Sequence, residues 1–204
     1  MKDTNHKRYQ FESREISSIA IFTALMVLLN ILLIPVPQPL QFFGFAPVLI
    51  YFSGILLKPK RAFLICALGS VIGQFLASVI LGDFAFLPLY LLGAFVARGL
   101  EGLFISLLET NLVRKKELSV KKRYFIEIII LIIGCTWEVY GYWLVGGPYW
   151  LILYGTPLEF SLFVWYLPVF IDLISIPIAM PTIIAARKAF QQDYLDNVLF
   201  GDQL

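Results

Sequence analysis

The chain has 204 residues, of which 59% are hydrophobic and 15% charged, whereas an ordinary soluble domain is roughly 25% charged. Its net charge of +2 comes from basic residues parked between apolar runs rather than gathered on one face, which excludes a nucleic-acid footprint. Lipid must be the main solvent, and about six spans of ~20 residues, each crossing ~30 Å of hydrocarbon, use up the length with nothing left for a soluble domain.

Taken in chain order, the apolar runs fall at about 16–34, 44–57, 62–81, 86–109, 124–145 and 160–187. The expected fold is therefore all-α: one membrane domain over 1–204, with a cytoplasmic lead at 1–15, a six-helix bundle at 16–187 and a cytoplasmic tail at 188–204. The first run shows no small-residue cleavage site and is followed by Pro35, Pro37 and Pro39, so it reads as a retained helix rather than a signal peptide. The second is short for a full crossing. The last is long and interrupted by Pro168, Pro177 and Pro181, which predicts kinks or tilt. Cys66 and Cys135 both fall inside apolar runs and read as small hydrophobes rather than a disulfide framework.

Basic residues test that count, because Lys and Arg in short loops stay on the cytoplasmic side. In a six-span arrangement, all but Arg98 of the 16 fall on one side: the lead, the turn at Lys58, Lys60 and Arg61, the loop from Arg114 to Arg123, and Arg187 with Lys188. A miscounted span would reverse the sides midway. Both termini are expected in the cytoplasm of a multi-pass plasma-membrane protein. The outer connections are then PVPQPLQFF at 35–43, the LGD turn at 81–83 and VGGPYWLILYGTPLE at 145–159.

Polar side chains within hydrocarbon are costly and face the bundle interior, pair with each other, or line a site. At ~1.5 Å per residue, Arg98 and Asp172 lie about 18 Å from the outer edge and Gln74 about 18 Å from the inner one. Asn30 and Glu138 lie roughly 21 Å from the inner edge, in the outer half; Glu159 and Asp83 stand at the outer mouth. Shared depth and opposite charge make Arg98 and Asp172 either a structural ion pair or a substrate clamp. Glu101, three residues after Arg98, shares its helix face. By the same count Glu138 has no basic residue at its depth and sits among Trp137, Tyr140, Tyr142 and Trp143, so a ligand cation or donor could be its partner, as could a proton or a water-filled cavity. The aromatics continue through Tyr149, Trp150, Tyr154, Trp165 and Tyr166. They suit either an interfacial belt or the walls of a pocket for a flat ring. The candidate substrate-binding set is Asn30, Gln38, Gln74, Trp137, Glu138, Tyr142, Trp150, Glu159, Trp165 and Asp172.

Small residues four apart mark close helix contacts: Ala20 with Ala24, Gly69 with Gly73, and Gly93 with Ala97. No phosphate-binding G-x-x-x-x-G-K-[ST] loop, H-E-x-x-H or G-x-S-x-G occurs, and the one histidine, His6, lies in the lead. A self-powered pump is excluded, and neither catalytic residues, a metal site nor a cofactor is expected.

Several features together resemble the substrate-binding S components of energy-coupling factor (ECF) vitamin transporters: the six runs, the basic lead, Ala20 and Ala24 at A-x-x-x-A, the proline-rich first outer loop, and GAFVARGLEGLFISLL in the fourth run. The similarity covers nearly the whole chain. It implies a subunit that captures a vitamin or related micronutrient from outside and docks on a membrane coupling subunit with two cytoplasmic ATPases. Ala20 and Ala24 take, by the same resemblance, the role of the coupling-subunit contact. Ligand in that family is gripped by outer-half residues of later helices, consistent with Glu138 and Trp165, and closed over by the first outer loop, here 35–43. The metal-binding members carry an N-terminal histidine site that this chain lacks. The acidic and aromatic residues favour a neutral or cationic ring compound, such as a thiamine precursor, over a polyphosphate. The rival readings are an intramembrane enzyme using Glu138 or Asp172 as acid or base, and a channel or scaffold whose polar groups only pair with each other.

Overall fold

A computed structural model of the chain describes residues 2–35, 42–82, 87–116, 118–154 and 158–189. Gln38 and Asp83 lie outside the described residues, as do the side chains of Trp150, Glu159 and Trp165.

Helix α1 runs Lys2–Ile31, so the basic lead continues the first helix, and the chain then forms a two-stranded antiparallel ribbon, β1 Leu33–Pro35 against β2 Phe42–Gly44. The ribbon is a three-pair link within a chain that is otherwise helical, in line with the all-α expectation. It pairs Leu33 with Gly44, Ile34 with Phe43 and Pro35 with Phe42.

Helix α2, Ala46–Leu56, has Pro47 in its first turn and ends at Leu57, whose backbone is extended. At ~1.5 Å per residue it covers about 16 Å, half the thickness of hydrocarbon. Its last carbonyls therefore end inside the bundle and need donors. They find them on a neighbouring helix: Ser106 Oγ donates to Leu57 O at 2.6 Å, and Arg114 Nη2 to Ile55 O at 2.6 Å. Lys58 is extended because Pro59 follows, and Pro59 then opens α3, Pro59–Leu81. Gly82, at φ 71°, closes α3 in the left-handed conformation, a role suited to glycine.

The fourth helical stretch is compound. Helix α4, Leu87–Gly93, passes through a π-turn at Ala94–Arg98 into α5, Gly99–Glu109, which passes through a second π-turn at Thr110–Arg114. Helix α6, Val120–Tyr154, does not stop at residue 145. The stretch expected as a third outer loop is helical through Tyr154, Gly146, Gly147 and Pro148 included. The apolar run from Trp150 to Tyr154 keeps its backbone within the helix. Helix α7, Leu158–Ala189, continues through all three of its prolines.

Six helical stretches thus occur among the described residues, matching the six apolar runs in order. Of these, 59–80, 91–114 and 120–145 are long and apolar enough to cross a membrane; 16–31 and 46–56 are apolar but shorter. Leu64, Leu68, Ile72, Phe75 and Val79 form an exposed stripe along α3, and α6 exposes Phe125, Ile129, Ile132 and Ile133. Apolar side chains on both inner and outer faces are what a lipid solvent selects. The centre is packed by Met26, Ile50, Tyr51, Ile55, Ile105, Leu131 and Ile183.

Glycine notches bring the helices together. A Cβ on Gly69 would stand 2.5 Å from Met26 Cβ and one on Gly73 2.5 Å from Asn30 Cβ, so α1 lies directly on α3. A Cβ on Gly141 would meet Ala97 Cα at 2.7 Å, a backbone atom that no rotamer change can move away. Gly141→Ala is therefore expected to lower stability by about 1–3 kcal/mol, read as a lower thermal midpoint of the detergent-solubilised protein. An unchanged midpoint would show that α6 and the first π-turn stand farther apart.

Candidate functional site

The site is built around Arg98, the last residue of the first π-turn. A π-turn holds an extra residue relative to an α-turn and re-aims the side chains that follow. Here it directs Arg98 across the bundle: Nε donates to Glu138 Oε1 on α6 at 2.7 Å, and Nη1 donates to Asn30 Oδ1 on α1. Asn30 is oriented from the other end, its Nδ2 donating to Met26 O at 2.8 Å. The guanidinium also stands 5.8 Å from the centre of the Tyr142 ring, within cation–π range.

This geometry corrects the pairing expected from depth. Arg98 forms its ion pair with Glu138 rather than with Asp172, and Glu138 does have a basic partner. Depth along a helix says nothing about rotation around it. The π-turn and the Gly141–Ala97 contact together bring Arg98 to α6, one turn of helix from Tyr142.

Asp172 nevertheless belongs to the same interior. It is buried on α7, and Tyr51 Oη on α2 donates to its backbone carbonyl at 3.2 Å. Glu101 is wholly buried, and neither of its carboxylate oxygens receives a hydrogen bond among the described residues. Trp137 packs edge-on against Phe104 with ring centres 4.8 Å apart. The indole nitrogens of Trp137 and Trp143 and the second oxygen of Glu138 are buried and find no hydrogen-bond partner among the described residues. Gln74 is half-buried on α3. The structure thus joins Asn30, Arg98 and Glu138 by direct bonds and stacks Tyr142 on that group.

Buried donors and acceptors lacking partners are uncommon in folded proteins, and each calls for an explanation. Indole N–H donors, a carboxylate oxygen and aromatic faces are the groups that fix the orientation of a planar, polar ring; of these, the Tyr142 ring stands beside the Arg98–Glu138 pair. No group of His, Cys, Asp and Glu suited to a metal ion occurs among the described residues. Cys66 and Cys135 are buried and free.

Ala20 and Ala24 lie on the exposed face of α1, away from Met26 and Asn30. The other two small-residue pairs are internal: Gly69 and Gly73 seat α1, Gly93 touches the Tyr142 ring, and Ala97 meets Gly141.

A second polar group was missed by the sequence reading. Near the loop at 115–119, Glu127 Oε1 accepts from Arg187 Nη1 at 2.7 Å and Arg123 Nε at 3.0 Å, and Glu109 Oε1 accepts from Arg187 Nη2 at 3.1 Å. This cluster ties α5, α6 and α7. Its signal was two carboxylates inside apolar runs, each close to a basic run.

A family model described as "ECF-type riboflavin transporter, S component" matches residues 10–188. No curated protein and no solved structure matches the chain.

The Arg98–Glu138 bond supplies a direct test of the geometry. Arg98→Met leaves Glu138 buried without its counter-ion and is expected to cost about 3–5 kcal/mol of stability. Combined with Glu138→Leu, the loss should fall short of the sum of the single losses by about 1–3 kcal/mol in a double-mutant cycle. Simple additivity would mean that the two side chains do not touch.

Proposed function

The chain belongs to the family of ECF-type riboflavin transporter S components, and on that premise we propose that it captures riboflavin from outside the cell and delivers it inward with an energising module. The family is one of membrane-embedded transporter subunits rather than enzymes, and the protein is accordingly a multi-pass membrane protein that binds substrate. In this reading all six helical stretches form the membrane bundle, with both termini cytoplasmic. The carrying observation is the Arg98–Glu138–Asn30 group, with the Tyr142 ring beside the guanidinium, within a chain matched to that family over residues 10–188.

Riboflavin is a neutral, flat, three-ring system with one imide N–H, two carbonyl oxygens and a hydroxylated side chain. Aromatic side chains can stack on such a ring, while indole N–H groups and a carboxylate meet its acceptors and donors. The family match, rather than the polar groups themselves, favours riboflavin over a thiamine precursor. Glu138 is the residue proposed to touch ligand, with Arg98 and Asn30 holding it in place. Gln38, Trp150, Glu159 and Trp165 remain proposed outer-side contacts, and Gln74 and Asp172 proposed inner ones.

Transport requires a source of energy, and the chain carries no phosphate-binding loop. The partners proposed are a membrane coupling subunit and two cytoplasmic ATPases. The notch at Ala20 and Ala24, exposed on α1, is suited to close approach by another helix, because small residues let backbones pack in lipid.

Quenching of riboflavin fluorescence on titration with purified protein tests the ligand. Stoichiometric, saturable quenching is expected, and thiamine should not compete. No quenching by riboflavin together with saturable heat on titration with thiamine would replace riboflavin by the thiamine class. Glu138→Ala should weaken riboflavin binding by at least about 1 kcal/mol, roughly fivefold; an unaltered Kd would leave Glu138 with a structural role only. Ala20→Leu combined with Ala24→Leu should retain riboflavin binding and abolish uptake in cells that supply the ATPase module. Normal uptake by that double variant would remove the coupling role from the notch.

A further inference from the structure

Six basic residues crowd the connection between α5 and α6, from Arg114 to Arg123, against a single acidic one, Glu117, which lies outside the described residues. The arginines at this end turn inward. Arg114 donates to Ile55 O on α2, and Arg123 and Arg187 are bound to Glu109 and Glu127. The lysines turn outward: Lys115, Lys116, Lys121 and Lys122 are all exposed. Among the described residues none of the four has a carboxylate partner. Lys115 Nζ donates to Asn111 Oδ1 at 3.0 Å, one bond for a group with three N–H donors.

Arg123 fixes how the two lysine pairs lie. Its guanidinium stands 3.8 Å from Glu109 and 3.0 Å from Glu127, so the first turn of α6 is held against the end of α5 and both pairs flank one short connection. An exposed apolar side chain stands about one turn from each pair: Leu112 before Lys115 and Lys116, and Phe125 after Lys121 and Lys122. Phe125 is 65% exposed, and Ile129 and Ile132 continue its exposed stripe along α6. Retention of Lys and Arg on one side of a membrane accounts for positive charge here. It does not account for the division between them, with the arginines paired inward and the lysines left beside exposed apolar side chains.

An amphiphile answers to both halves of that surface. Phosphate oxygens accept from ammonium groups, each a compact point charge with rotatable donors, while acyl chains cover the apolar stripe. A soluble acidic protein would meet the charge and leave Phe125 and Ile129 uncovered. We propose that the α5–α6 connection is a headgroup site for an anionic glycerophospholipid, its phosphodiester held between the two lysine pairs and its chains lying along Phe125, Ile129 and Ile132. A zwitterionic lipid fits poorly, because its own ammonium meets the lysines as like charge. The site lies about four helical turns along from Arg98 and does not depend on the ligand taken there.

Full-length protein, delipidated in detergent, is titrated with phosphatidylglycerol or phosphatidylcholine of identical chains and followed by native mass spectrometry and thermal midpoint. Preferential retention of phosphatidylglycerol is expected, with a higher midpoint than in phosphatidylcholine. Lys121→Gln with Lys122→Gln should weaken that binding by roughly fivefold for each lysine removed. Lys115→Gln with Lys116→Gln should weaken it too, whereas Lys60→Gln, which removes an exposed charge from the start of α3, should leave it unchanged. Equal retention of the two lipids overturns the proposal. So does a preference that survives both double substitutions, or one that Lys60→Gln weakens as much per charge, since the effect then belongs to total charge. An equal rise in midpoint with inorganic phosphate would make a free anion the occupant, and lysine-dependent capture of an acidic soluble protein without any lipid preference would make it a protein; either result overturns the lipid assignment.

Discussion

Arg98 cannot face hydrocarbon, and much of the bundle follows from how it is satisfied. A guanidinium within a helix apolar enough to span a membrane needs acceptors from more than one direction, because its donors are spread in a fixed plane. Helices α1 and α6 provide them as Asn30 and Glu138. Both helices must then stay within side-chain reach of the first π-turn. Gly73 permits this on the α1 side by letting Asn30 sit directly on α3, and Gly141 permits it on the α6 side by letting the backbone touch Ala97. The charge and the notches are two halves of one arrangement: without the notches the charge has no partners, and without the charge the close approach has no polar reward.

The opposite end of the bundle solves a related difficulty in a related way. Helix α2 is too short to cross, so its terminal carbonyls finish among other helices, where an unpaired backbone group is costly. Ser106 and Arg114 supply the donors. Arg114 closes the second π-turn as Arg98 closes the first. In both places a widened turn ends on an arginine whose head group reaches a neighbouring helix. Arg123 and Arg187 then hold Glu109 and Glu127 between α5, α6 and α7. Arginines near this end serve internal contacts, while Lys60, Lys115, Lys116, Lys121 and Lys122 remain exposed.

Much of this architecture was legible from residue order alone. Apolar runs located six helical stretches, because lipid demands length and hydrophobicity whatever the fold. Small-residue spacing correctly singled out Gly69 and Gly73 as a contact face, and depth counting picked Asn30, Arg98, Glu138 and Asp172 as interior polar groups. Depth could not assign their partners. Rotation about a helix axis depends on local winding, and the π-turn at Ala94–Arg98 has no composition of its own to announce it; AFVAR reads as ordinary helix. The same blindness hid the Glu109–Glu127 cluster, whose members come from three helices far apart in the chain. The helical extension of α6 to Tyr154 was misread because Pro and Gly signal a turn only when nothing favours continuing the hydrogen-bond ladder.

Helix α1 links the two ends of the proposed function. One side of it carries Met26 and Asn30, sunk into α3 through Gly69 and Gly73, and another carries Ala20 and Ala24, exposed along the outside. The glycine contacts leave no slack for α1 to slide along α3 alone, since Met26 and Asn30 would meet the backbone on either side. Any displacement imposed on the Ala20–Ala24 face is therefore carried by α1 and α3 together, and reaches Arg98 through Asn30. A pull there acts on the Arg98–Glu138 bond, the only direct ion pair between the first π-turn and α6 among the described residues. A partner helix seated in the alanine notch would thus bear on the proposed ligand contact through two packed helices and one hydrogen-bonded amide, without touching the site itself.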